Sequence, residues 1–332
     1  MKVILCFLTA YRYWCNCAAL QSKGKFPAPC DPISLGQLSR VAHLEDATSK
    51  LSETKELDWN SVGIRKLDRI DLLITDPQQR GFAKNVVTHL QSNFEAVYGS
   101  LVMISPGIYV CTPELCFLQM ASEFGFVDLV EFGFELCGGY CLNTQAPIGF
   151  TNRIPLSSVE RINQYLDRVS AVNAVKRARR ALVYVANHSA SPRETTFAML
   201  ETLPIRVGGY GLKLPIMNHK MELAKRDHWK RMNYYCDMYW PEHKLAVEYS
   251  GSLVHGKDSV FPDNERENII ELGGIRVLRI DSQQLSNAES LDLATRRIAS
   301  YMNKHIKKPS SQVAERRENL RSYLYRWNRA PR

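Results

Sequence analysis

Two apolar runs separated by only three residues constrain this chain more than any other feature. MNYYCDMYW (232–240) and KLAVEYS (244–250) flank Pro241-Glu242-His243. Runs rich in aromatic and branched side chains read as strands. A three-residue connection returns the second strand antiparallel to the first, as a hairpin. A further strand is expected at MELA, around 221. IRVLRI (275–280) supplies another, after a polar loop and a helix expected from about Asp263 to Leu272. Gly273-Gly274 stops that helix. Upstream, Ser191-Pro192-Arg193-Glu194 places a serine at the N-cap, proline at the first helical position and an acid at the third. This opens the helix TTFAML, which ends before Pro204. The order helix, three strands, helix, strand predicts a mixed β-sheet flanked by helices.

Carboxylates interrupt these strands. Asp237 stands between Cys236 and Met238, and Glu248 closes the run LAV. An acid inside an apolar strand is costly unless it is paired, exposed at a sheet end or bound to a cation. A hairpin turning at 241–243 lets Asp237 and Glu248 reach the same end of the sheet. Glu248 and Ser250, two apart, face the same side. Glu194 on the preceding helix can lean over that edge. Three carboxylates meeting there would hold Mg²⁺ or Mn²⁺, hard ions that take oxygen ligands. Such an ion activates water and stabilises the charge of phosphodiester hydrolysis. Each residue also has an ordinary reading. Glu194 serves as a capping-box acid, Asp237 as an edge-strand charge, and Glu248 as the partner of a buried arginine. His255 is a loop histidine, Asp263 an N-cap, and Arg266 the partner of an acid on its own helix.

Taken together, SPRE, YYCDMYWPEHKLAVEYSG, His255 and DNERENIIELGGIRVLRI resemble the PD-(D/E)XK nuclease superfamily, in its branch similar to very-short-patch-repair endonucleases. The resemblance covers about 90 residues, from Ser191 to Ile280. It implies a restriction-endonuclease-like fold with Glu194, Asp237 and Glu248 as metal ligands, assisted by His255, Asp263 and Arg266. One position departs from the pattern. Ser250 stands where the family has Lys, or in this branch often Asp, and serine cannot supply the charge that supports the attacking water or the scissile phosphate. Further upstream, TAYRYW (9–14), LLITDPQQRGFAKNVVTHL and IYVCTPELCFLQMASEFGFVDLVEFGFELCGGY resemble antitoxin-type domains of abortive-infection (type IV toxin–antitoxin) proteins. That resemblance implies a cognate toxin or defence protein as partner and carries no catalytic residue.

The rest of the first half reads as α+β. VILCFLTA forms a buried first strand or helix; it stops at Tyr11-Arg12 with no clean cleavage site behind it. Residues 20–63 are polar and punctuated by proline and glycine. IDLLIT, VVTHL, SLVMI and GIYV then read as strands, and helices follow from Thr112-Pro113 and from Phe126 to Leu136. One long amphipathic helix is expected from Ser158 to about Ala186, with Ile162, Leu166, Val169 and Val175 on its apolar face and the cluster KRARR (176–180) on the other. The chain is therefore expected to be α/β: an antitoxin-like α+β domain (1–158), a basic linker helix (159–186), a nuclease-like domain (187–285) and basic C-terminal helices (286–332).

Charge sharpens that division. The formal +9 comes from 43 basic and 34 acidic residues. It resolves into −2 over 1–158, +4 over 159–186, zero over 187–285 and +7 over 286–332. The helix and the tail would hold a DNA backbone, and the neutral domain between them would do the chemistry. Helices at about 288–307 and 312–328 close the chain, the second with Val313, Leu320, Leu324 and Trp327 on one face and Arg316, Arg317 and Arg321 elsewhere. Nine cysteines without a Cys-x-x-Cys pair suit buried thiols in a reducing cytoplasm. No stretch approaches the roughly 18–20 apolar residues that span a bilayer, so no membrane role is expected. The function expected is a metal-dependent DNA endonuclease of defence or repair. The alternative is a catalytically inactive DNA-binding or antitoxin-type regulator on a nuclease scaffold.

Overall fold

The computed structural model describes residues 3–21, 40–41, 49, 69–81, 85–91, 94–143, 146–169, 174–224, 231–250 and 274–325. The chain is α/β, with mixed sheets flanked by helices. It falls into two compact units. One comprises Met1–Lys25, Asp31–Cys141 and Asn152–Val185; the other comprises Phe26–Cys30, Leu142–Thr151 and Ala186–Arg332.

The first unit is built on a six-stranded sheet. In chain order its strands are β1 (Val3–Leu5), β2 (Arg40–Val41), β3 (Ile70–Ile74), β4 (Val86–Leu90), β5 (Leu101–Ser105) and β6 (Ile108–Cys111); in space they run β2-β5-β6-β1-β3-β4. β1 and β3 are buried along their whole length, as central strands with both faces covered must be. The helices are α1 (Phe7–Gln21), α2 (Phe94–Val97), α3 (Pro113–Glu123), α4 (Phe126–Cys137), α5 (Val159–Arg168) and α6 (Val175–Leu182). Thr112 caps α3 by accepting from Leu115 N, with Pro113 at the first position. The short strands β7 (Tyr140–Leu142) and β8 (Phe150–Asn152) follow α4 in the chain. Arg153, wholly buried, donates to the carbonyls of Glu135, Gly138 and Ile154, and so closes the C-terminus of α4.

The single helix expected from Ser158 to Ala186 is two helices instead. α5 ends at Arg168, where Val169 leaves helical geometry, and α6 starts at Val175. The sequence between, Ser170-Ala171-Val172-Asn173, is mostly poor helix former. The basic cluster is also spoken for inside its own unit. Arg177 donates to Ser122 O and Phe124 O at the end of α3, Arg179 pairs with Asp167, and Arg180 lies over the Phe126 ring.

The second unit carries α7 (Pro192–Thr202) and a four-stranded sheet of β9 (Ile216–Ala224), β10 (Arg231–Trp240), β11 (Leu245–Ser250) and β12 (Arg276–Asp281). The order is β12-β11-β10-β9; β9, β10 and β11 are successively antiparallel, and β12 joins β11 in parallel. The hairpin turns through Pro241–His243, and Lys244 completes it with φ +46°. α8 (Ser282–Ser286), α9 (Ala288–Tyr301) and α10 (Ser311–Leu324) close the described chain. α7 is buried from Glu194 to Thr202, because the sheet, α9 and α10 belong to the same core. Leu320 and Leu324 are buried, so the tail helix is part of this fold rather than an appendage.

Candidate functional site

Register brings polar residues together two by two in the second sheet. Cys236 pairs with His219 and Met238 with Met217, which sets Asn218 opposite Asp237. On the other side the β10–β11 ladder ends at Met238 opposite Val247. Glu248 in turn pairs with Arg279. Asn218, Asp237, Glu248 and Arg279 thus form a polar row with one member on each of the four strands.

The sheet is distorted where this row crosses β9 and β10. Cys236 and Tyr239 pack in one cluster with Met221, Tyr234, Ala246 and Val277. Strict alternation would put residues three apart on opposite faces, so β10 changes phase at Asp237. Opposite it, Asn218 takes φ +46°, a left-handed conformation that asparagine tolerates better than most residues. The Asp237 carboxylate accepts the backbone N–H of Tyr249, two residues beyond the last β11 residue paired with β10.

Glu194 reaches the row from α7. Its Oε1 accepts from Ser191 Oγ (2.9 Å), and its Oε2 accepts from Ala190 N (2.9 Å) and Asn218 Nδ2 (2.6 Å). Ser191 Oγ accepts from Glu194 N in return. Glu194 is therefore the capping acid of its helix and, through Asn218, an anchor of β9. Asn218 Nδ2 also donates to His188 O (2.8 Å). Burial pushes the Glu194 carboxyl above its ordinary value, against the pull of the three donors. Glu248 accepts from Tyr234 OH at 2.6 Å and meets Arg279 Nε at 3.4 Å. Burial, with the Asp237 and Glu248 charges beside it, pushes the Cys236 thiol up to about 12.

The carboxylate oxygens of Glu194, Asp237 and Glu248 suit Mg²⁺ in kind. In place they do not yet make a centre: among the described residues no three His, Cys, Asp or Glu side chains gather as a metal-ligand group. Of the other expected site residues, Ser250 is described by its backbone, which pairs with Asp281. His255, Asp263 and Arg266 lie outside the described residues. Asn218, Tyr234 and Arg279 were not singled out in the sequence. Their signal was present: Arg279 breaks IRVLRI as Glu248 breaks LAVEYS, and matched opposite charges in neighbouring strands mark a pair.

None of the eight described cysteines is in a disulfide, and burial raises the thiols of Cys6, Cys111, Cys116 and Cys137. Among the described residues no helix is long and apolar enough to cross a membrane. Comparison with protein-family models, curated proteins and solved structures returned no match.

Proposed function

We propose that the second unit is a metal-dependent DNA endonuclease of the PD-(D/E)XK type, acting in cytoplasmic defence or DNA repair. The observation that carries this reading is the row Asn218–Asp237–Glu248–Arg279, with Glu194 bonded to its first member. Carboxylate oxygens on neighbouring strands are the ligand type that a hard divalent ion takes. The order of one helix, three antiparallel strands and a fourth strand parallel to the third supports the same reading. Asp237 and Glu248 would hold Mg²⁺, and Glu194 would fix the edge of the site through Asn218. When bound, the ion would lower the pKa of a water for attack on the phosphodiester. Tyr234 fixes the Glu248 carboxylate by a hydrogen bond that needs no metal. Lys304, Lys307 and Lys308, all exposed, would meet backbone phosphates without sequence preference. His255, Asp263 and Arg266 enter on the sequence resemblance alone. The first unit would bind a cognate toxin or defence protein.

Plasmid nicking with Mg²⁺ or Mn²⁺ tests the proposal. Wild type should nick, and Asp237→Ala and Glu248→Ala should lose most of that activity. Equal activity in all three overturns it. The second reading, a non-catalytic DNA-binding or antitoxin-type regulator, is favoured by the Arg279–Glu248 pair and by Ser250. It expects DNA binding with no nicking in any of the three.

A further inference from the structure

We infer that Cys15 and Cys141 are a peroxide-oxidised thiol pair, in which Cys141 attacks and Cys15 closes the disulfide. The inference concerns the first unit alone and does not depend on the nuclease reading.

Helix α1 and strand β7 bring the pair together. Tyr11 and Cys15, four apart on α1, share one face of the helix. Cys141 is the middle residue of β7. Tyr11 OH and Cys141 Sγ are hydrogen-bonded at 3.6 Å, and the Cys15 thiol bonds to the Cys141 sulfur as well. The Tyr11 ring stands edge-on to Phe132 of α4, which holds the hydroxyl at the sulfur.

The two sulfurs differ as an attacking and a resolving thiol must. Cys141 is partly exposed and Cys15 is buried. The hydrogen bond from Cys15 holds the Cys141 thiol below its ordinary value, against its own burial and the Glu135 charge. The Arg153 charge and the Tyr11 hydroxyl act in the same direction as Cys15. Burial keeps the Cys15 thiol well above its ordinary value, so Cys15 remains the proton donor of the pair. Arg153 is wholly buried. Its terminal nitrogens bond the carbonyls of Glu135, Gly138 and Ile154, while its Nε has no hydrogen-bond partner among the described residues. A buried guanidinium with an unused donor is costly, and a thiolate nearby offsets that cost. By contrast Cys6, Cys111, Cys116 and Cys137 are buried with raised thiols, which makes them poor targets.

The oxidant is hydrogen peroxide. The Cys141 thiolate attacks one peroxide oxygen; an S–O bond forms, the O–O bond breaks, and the departing hydroxide takes up the Cys141 proton as water. Cys141 is then a sulfenic acid. The Cys15 sulfur attacks it; the S–S bond forms, the S–O bond breaks, and the Cys15 proton leaves with that oxygen as a second water. Two electrons pass from the pair to the peroxide. In a reducing cytoplasm such a disulfide is transient, as in a redox sensor.

Peptide mapping by mass spectrometry tests this on the full chain, treated with excess hydrogen peroxide and then alkylated in denaturant. Wild type should lose two of its nine thiols. It should yield one peptide pair joined through Cys15 and Cys141 within a single chain, and dithiothreitol should separate it. With dimedone present, Cys15→Ser should carry the label on Cys141. Cys141→Ser should show neither a bridge nor a label on Cys15. A bridge to Cys17 or Cys30, a bridge between two chains, or a wild type that keeps all nine thiols overturns the inference. So does a dimedone label on Cys15 in Cys141→Ser, which would reverse the two roles. The wild-type map needs no substitution, so it decides the matter even where a variant fails to fold.

Discussion

Asn218 Nδ2 donates to Glu194 Oε2 across 2.6 Å, tying the first turn of α7 to the edge strand β9. The same amide donates to His188 O, so one side chain fixes the loop before the helix, the helix cap and the strand. Asn218 also carries positive φ. Asn218→Gly should cost about 1–3 kcal/mol through the lost hydrogen bonds to a buried acid. Asn218→Ala should cost about 1 kcal/mol more, because alanine adds left-handed strain. Urea denaturation of the two variants checks the order. Equal losses would show that the conformation is not under strain.

Glu201 gives the second unit a pH signature. It is wholly buried on α7, accepts from Thr295 Oγ1 at 2.6 Å, and burial pushes its carboxyl up to about 8. Its Oε2 has no hydrogen-bond partner among the described residues. With the folded pKa above the unfolded one, only the unfolded chain ionises between about 4.5 and 8. Stability should therefore fall as pH rises through that window and level off above it. Glu201→Gln should gain on wild type from pH 5 to pH 8, by an order of 1–3 kcal/mol. Thermal melts across that range measure it.

Gly208 marks a close approach of backbones. Its φ is +111°, and a Cβ added there would lie 2.3 Å from Arg316 O on α10. Gly208→Ala should push α10, with its buried Leu320, away from the turn at 208 and destabilise the second unit by more than about 2 kcal/mol. The expected readout is faster proteolysis within 311–324.

The phosphate-binding role of the tail needs a gentler probe than removal of its last helix. Leu320 and Leu324 are buried, so cutting at 308 would open the core as well as delete charge. Arg317 pairs with Asp292 and lies over the Tyr210 ring, and Arg321 pairs with Glu318, so neither is a spare cation. Lys307→Glu with Lys308→Glu leaves those contacts intact. DNA affinity should drop, and the log–log salt slope should fall by about 2.

The hairpin was legible in the sequence because its signal is local. Two β-rich runs, a three-residue turn and the Ser191–Glu194 cap each act within a few residues, and all appear as expected. The helix over 158–186 was overextended because its apolar period continues in phase while residues 170–173 lack helix-forming strength. The polar row was only half legible. Asp237 and Glu248 stand out as acids among aromatics, but Arg279 meets Glu248 only through a parallel register. That register is set by a crossover more than 20 residues long, which no local pattern encodes. The phase change at Asp237 was hidden for a related reason. It depends on Asn218 across the sheet, at a place where alternation alone looks unbroken.

The most direct test of the central claim is to locate the metal. Crystals of the full chain soaked in Mn²⁺ with a short phosphorothioate duplex should show an anomalous-scattering peak at the carboxylates of Asp237 and Glu248. No peak there with DNA bound would contradict the account and leave the fold as a DNA-binding scaffold.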